Sequence, residues 1–192
     1  MKMTIDVSRQ KLFFTADEHY GHNNIIRHCN RPFKDSSQMD KCLIEKHNQT
    51  VSPKDLVIHI GDFSFKKTIA ESILPQLNGR HIFVTGNHDQ GWLLQWQQNN
   101  IKQVFDILDL KITGDEENKY ITCCHYPMRS WNKSFYGSWQ LYGHCHGNIE
   151  PEGLQMDVGV DCHEYGPVSY EMVKMAMEEK SKHISNFNVK DN

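Results

Sequence analysis

Short runs of β-branched, aromatic and aliphatic residues alternate through the first hundred positions with stretches whose apolar side chains recur every three or four residues. The runs at 12–16 (Leu-Phe-Phe-Thr-Ala), 56–60 (Leu-Val-Ile-His-Ile) and 82–85 (Ile-Phe-Val-Thr) predict buried strands. Between them the spacing predicts helices over 24–30, closed by Arg31-Pro32, over 36–48 behind a Ser36 or Ser37 cap, and over 67–77 with a break at Pro75. Asn78-Gly79 reads as a turn, and a Trp-rich helix follows over 91–99. Beyond residue 100 the pattern shortens to β-like pieces at 104–108, 120–124, 139–142 and 154–158. A last helix runs from Ser169 or Tyr170 to about Lys180, ahead of a polar tail over 182–192 that is expected to be loose. Strands alternating with helices predict sheet inside and helices outside, and no repeat or low-complexity linker divides the chain, so one domain over 1–192 is expected.

The polar residues that matter fall where these strands end. Asp17-Glu18-His19 follows the first, Gly61-Asp62 the second and Gly86-Asn87-His88-Asp89 the third. The piece at 120–124 leads into His125-Tyr126-Pro127, and that at 139–142 into Gly143-His144-Cys145-His146. Open α/β sheets place ligands at the carboxyl edge of their strands. Residues two apart on an extended segment point to one side, which pairs Asp17 with His19 and His144 with His146 and turns Cys145 away. Converged, the five edges would assemble Asp17, His19, Asp62, Asn87, His88, His125, His144 and His146. That is too many ligands for one tetrahedral ion and suits two, since hard and borderline divalent cations take this mixture of carboxylate, amide oxygen and imidazole. Two ions about 3.5–4 Å apart form the clamp used in phosphoryl displacement.

Composition narrows the partners. A net charge of −3 argues against a dedicated nucleic-acid scaffold or a binder of anionic membranes, and no basic patch with interleaved aromatics is present. No run approaches the roughly 18 apolar residues of a membrane span. The start of the chain lacks a secretory h-region, and the six cysteines form no C-x-x-C pair, so reduced thiols in a cytoplasmic protein are expected.

The blocks D-x-H, G-D, G-N-H-D, a separate His and G-H-x-H, in this order from residue 17 to 146, resemble the calcineurin-like metallophosphoesterase superfamily. Gly21-His22-Asn23-Asn24-Ile25-Ile26, Asn30-Arg31-Pro32-Phe33, Trp131-Asn132 and Val158-Gly159-Val160-Asp161 are similar to a small bacterial and phage branch of it. The resemblance implies an αββα sandwich, two mixed sheets face to face with helices outside. It implies two divalent ions (Mn, Fe, Zn or Ni), one held by Asp17, His19, Asp62 and His146 and the other by Asp62, Asn87, His125 and His144, with Asp62 and a hydroxide shared. The expected activity is hydrolysis of a small phosphate ester, diester or monoester. His88 is the expected donor to the leaving oxygen, and Asp89 is expected to orient an imidazole. His22, Arg27, Arg31 and Arg129 can contact substrate phosphate, although solvated or structural ion pairing is the more ordinary role for each. Trp92 and Trp96 read as core, and His59 as a buried, hydrogen-bonded strand residue. Two other readings stand beside the phosphoesterase: a non-catalytic metal-containing scaffold, and a nuclease of the same superfamily.

Overall fold

The computed structural model describes residues 2–98 and 103–188. Two five-stranded sheets lie face to face, each of them mixed. The first runs β1 (Lys2–Asp6), β6 (Leu108–Thr113), β7 (Lys119–Cys123), β8 (Trp139–Tyr142) and β9 (Gln155–Asp157). The second runs β10 (Val168–Ser169), β2 (Leu12–Thr15), β3 (Leu56–Ile60), β4 (Arg80–Val84) and β5 (Gln103–Phe105). Helices α1 (Asn23–His28), α2 (Ser36–Thr50), α3 (Lys67–Ile73) and α4 (Gln90–Gln98) connect β2 through β5, which pair in parallel. The fifth helix, α5 (Tyr170–Asn188), ends the described chain.

Two cores follow from which faces are apolar. Phe14, Ile58, Val84, Leu110, Ile121 and Leu141 fill the space between the sheets, while Phe83, Met39, Leu43, Ala70 and Trp92 bury the other face of the second sheet under α1–α4. β3 is buried at every position, as a central parallel strand covered on both sides must be. β6 alternates buried and half-buried residues, because only its inner face meets the core. Tyr170, Val173 and Met177 of α5 enter the inter-sheet core, and the helix contacts β10, β2 and β9. On the outer face of the first sheet, Asp109, Lys111 and Tyr120 are half-buried. The 126–138 connection lies over part of that face, where Asn132 donates to Asp109 and the Lys133 ammonium sits 3.3 Å from the Tyr120 ring centroid.

Several expected boundaries move. β1 was not anticipated, because it is an edge strand that buries only Ile5. The run at 104–108 is two strands of different sheets, with Asp106 and Ile107 making the crossing. Asp35 rather than Ser36 or Ser37 caps α2, its carboxylate accepting the Gln38 N–H at 2.9 Å. Helix α3 stops at Ile73 and a 3-10 turn takes up Leu74–Gln76, where Pro75 cannot continue an α-helix. α5 continues past Lys180 to Asn188, through most of the tail expected to be loose; residues 189–192 and Asn99 lie outside the described residues. Trp92 and Trp96 are buried core, as read from the sequence.

Candidate metal centre

The parallel strands β2, β3 and β4, and the pair β7 and β8 in the other sheet, end at one edge of the sandwich, and the polar groups that follow them meet there. Asp17, His19 and His146 form one group and Asp62, His125 and His144 a second, with the donor atoms of each group within 4.8 Å of one another. Asp62 stands between the two, its Oδ2 lying 3.7 Å from His19 Nε2 and 3.4 Å from His125 Nε2. Asn87 Oδ1 is 3.1 Å from both His125 Nε2 and His144 Nδ1. All seven expected ligands therefore converge.

The backbone is strained to achieve this. Asp17 (φ 60°), His19 (φ 53°), Asp62 (φ 60°), His144 (φ 67°) and His146 (φ 48°) all adopt the left-handed conformation. Each such residue costs on the order of 1–3 kcal/mol and persists only where its surroundings over-determine it. Gly61 (φ 88°) permits the turn into Asp62, and a Cβ on Gly86 would overlap the Asp62 carboxylate and amide. Asp89 is buried and does not orient an imidazole. Its carboxylate accepts the backbone N–H groups of Asp62 at 2.5 Å, Ser64 at 3.2 Å and Gly86 at 3.2 Å, so it holds the 61–64 and 86–89 turns together. His88 is placed as expected at the centre: its N–H donates to Asp62 Oδ1 at 2.9 Å, and its ring, about one third exposed, brings Nε2 to 3.9 Å from Asp62 Oδ2.

Electrostatics separate the two carboxylates. Burial pushes Asp62 up, but the His125 hydrogen bond and the charges of His125 and His19 outweigh it and hold the group at about 2. Burial lifts Asp17 to about 7 despite His146 and His125, with Asp62 and Asp157 adding to the rise. Burial also drives His19 well below its usual value.

The other expected contacts divide. His22 lines the cleft beside His19, with Phe65 packed on its ring at 4.1 Å. Arg27 is exposed, donates to Asn24 and does not line the cleft; nor does Arg129, also exposed. Arg31 is not available to substrate phosphate. It is buried, and its guanidinium donates to the carbonyls of Asp17 (2.7 Å) and Glu18 (3.1 Å) and, through two nitrogens at 2.7 Å, to both oxygens of Asp161. Asp161 in turn accepts from His146 Nδ1–H at 2.7 Å. The Val158-Gly159-Val160-Asp161 motif does not by itself mark Asp161 as a site residue, because nothing local ties it to residue 31 or 146. His28, Cys29 and Asn148 also line the cleft of about 340 Å³, and Phe65 packs against His88 at 4.1 Å; no sequence pattern marked them. His59 is buried as expected, between Glu18 (2.6 Å) and His81 (2.9 Å).

The residues fit a pair of cations. His19 is buried with neither ring nitrogen hydrogen-bonded, which is costly for an imidazole unless another partner takes a lone pair. His125 Nδ1 faces the Ile60 carbonyl at 2.9 Å, so once the ring gives up its Nε2 proton that nitrogen, 3.1 Å from Asn87 Oδ1 and 3.4 Å from Asp62 Oδ2, would be the one offered to a cation.

No protein-family model matches the chain. A solved structure, described as the protein of unknown function AQ665 from Aquifex aeolicus, has a similar fold, with a TM-score of 0.69 and 21% identity over 87% of this chain and 99% of that one. The uncharacterized protein MJ1445 of Methanocaldococcus jannaschii is 32% identical over 193 aligned positions, 95% of this chain and 99% of its own length. At that identity and coverage, the chain belongs to the same family as MJ1445.

Proposed function

We propose that this protein is a dinuclear metal-dependent phosphoesterase of the calcineurin-like kind, acting on a small phosphate ester. The observation that carries the reading is the Asp62 carboxylate, which belongs to the group with His125 and His144 and also lies 3.7 Å from His19 of the Asp17–His19–His146 group, with Asn87 beside His125 and His144. Asp17, His19, Asp62 and His146 would hold one divalent ion, and Asp62, Asn87, His125 and His144 the other. Bound there, the pair would supply Lewis acidity toward a phosphoryl oxygen and would make a water acidic enough to act as nucleophile near neutral pH.

The chain's own residues supply position and a proton. Asp62 is held ionised by its imidazole neighbours and fixed by the His88 N–H, so its two oxygens have settled directions. His88 projects into the cleft with Phe65 packed against its ring, which restricts the imidazole to the mouth of the site, where it donates to a departing alkoxide. Among the described residues lining the cleft there is no Lys or Arg, which favours a compact substrate over an extended nucleic acid, whose backbone needs several such contacts.

The test is hydrolysis of an aryl phosphodiester and an aryl phosphomonoester by metal-stripped protein reloaded with Mn²⁺, Ni²⁺ or Zn²⁺. Turnover that requires added metal is expected; inactivity with every metal on both esters would remove the enzyme reading and leave a metal-binding scaffold.

A further inference from the structure

We propose that Arg31 and Asp161 are positioning residues for one of the two metal positions, a guanidinium–carboxylate clamp that aims His146 and locks the Asp17–His19 turn. The inference rests on the dinuclear reading above. Arg31 is 4% exposed, and besides a contact to Met39 Sδ its donors divide between the Asp17–Glu18 backbone and Asp161, the carboxylate behind His146. Two hydrogen bonds run to the carbonyls of Asp17 and Glu18, and two run to Asp161. The first pair fixes the peptide units between the two left-handed residues, Asp17 and His19, and so supplies part of the over-determination that their conformation demands.

The second pair fixes Asp161, whose Oδ2 accepts from His146 Nδ1–H at 2.7 Å. That bond leaves Nε2 as the ring nitrogen to ligate, with the Cys29 thiol also against the ring, and a carboxylate behind an imidazole raises its basicity. Residues 31 and 161 lie 130 positions apart, so one contact joins the Asn30-Arg31-Pro32-Phe33 and Val158-Gly159-Val160-Asp161 segments through the site. Among the described residues the other metal position has no equivalent: His125 leans on a neutral backbone carbonyl, and the His144 ring meets Asn87, itself a proposed ligand. The clamp's direct contacts therefore reach one position, its link to the other running only through Asp17, which accepts the His144 N–H, and this asymmetry gives the test an internal control.

Metal-free protein titrated with Mn²⁺ by calorimetry should bind two equivalents, and its electron paramagnetic resonance spectrum should be that of a coupled pair. Asp161→Asn should weaken one equivalent about 10- to 100-fold, the usual scale for such supporting partners, while the other keeps its affinity and the spectrum becomes that of a single ion. A double variant, Arg31→Met with Asp161→Leu, removes both charges together and leaves neither buried alone, so it separates positioning from charge burial. Loss of one equivalent in folded protein supports the clamp; two unchanged affinities, or an equal fall in both, overturn it. If neither variant folds, the wild type still decides. Zn²⁺-loaded protein should show His146 bound through Nε2, with a protected Nδ1–H in ¹H–¹⁵N spectra; coordination through Nδ1 overturns the proposal. Wild type that binds no Mn²⁺ at all would instead sink the dinuclear reading itself.

Discussion

At the scale of single residues, the centre shows that neighbours in sequence do unrelated work. Gly86, Asn87, His88 and Asp89 form one continuous polar block, yet Gly86 makes room for Asp62, Asn87 faces two imidazoles, His88 faces the cleft and Asp89 is buried against backbone amides. His88→Ala should keep both metals and lose about 10²- to 10⁴-fold in kcat, the range for a single general acid. Asp62→Asn should lose metal content as well as rate. Metal analysis beside kinetics distinguishes the two, and metal loss in His88→Ala would show that His88 is a ligand. Gly86→Ala forces a methyl group into the Asp62 carboxylate. It should destabilise the fold by about 1–3 kcal/mol, the usual penalty for overpacking, and reduce metal content. Urea midpoints and metal analysis check both; wild-type values in each would show that the turn simply yields. The residues that converge at the candidate centre were legible from type and order, because five polar blocks recur at the ends of apolar runs. Arg31 was legible only as a cation, since its partners, two carbonyls and an aspartate 130 residues away, leave no local trace.

Among the elements, α5 has a chemical lock at its start. Asp115, in the β6–β7 turn, accepts from Lys174 Nζ at 2.7 Å and from the Tyr170 hydroxyl at 2.8 Å. The Lys174 hydrogen bond is the main cause holding this carboxyl at about 2 instead of 3.8. A carboxyl with a depressed folded-state pKa contributes stability that is complete above its unfolded value and disappears as pH falls from about 4 toward 2. Asp115→Asn should therefore make α5 more susceptible to proteolysis or amide exchange at pH 6, with the difference from wild type fading by about pH 2. A difference that persisted unchanged at pH 2 would refute this linkage. Long buried strands such as β3 were readable from their apolar runs, whereas β1 was not. Its stability comes from parallel pairing with β6, a partner more than a hundred residues away. The crossing at Asp106 and Ile107 was hidden for a similar reason, because consecutive apolar residues do not declare which sheet they join.

For the whole molecule, the two sheets end at one edge, where five left-handed residues of the candidate centre crowd carboxylate and imidazole groups that a cation would draw together. Binding of divalent metal should therefore stabilise the fold by mass action, by about 2.7 kcal/mol at a hundredfold excess over Kd. A chelator should lower Tm, added Mn²⁺ should restore it, and Asp62→Asn should abolish the difference. A chelator-independent Tm in wild type would contradict the metal assignment. No described helix is long and apolar enough to cross a membrane.

The chain by itself determined the alternation of strand and helix, the polar residues at strand ends and, through their types and order, the kind of chemistry they suit. These are local properties, set by side-chain volume, polarity and the period of each element. Which residues touch was decided only by the tertiary structure. The parallel crossovers and the facing of the two sheets bring Asp17, Asp62 and His146 to one edge, bury Arg31 against Asp161, and turn Asp89 onto backbone amides. Contacts between distant segments depend on how two sheets pack, and no window of sequence encodes that packing.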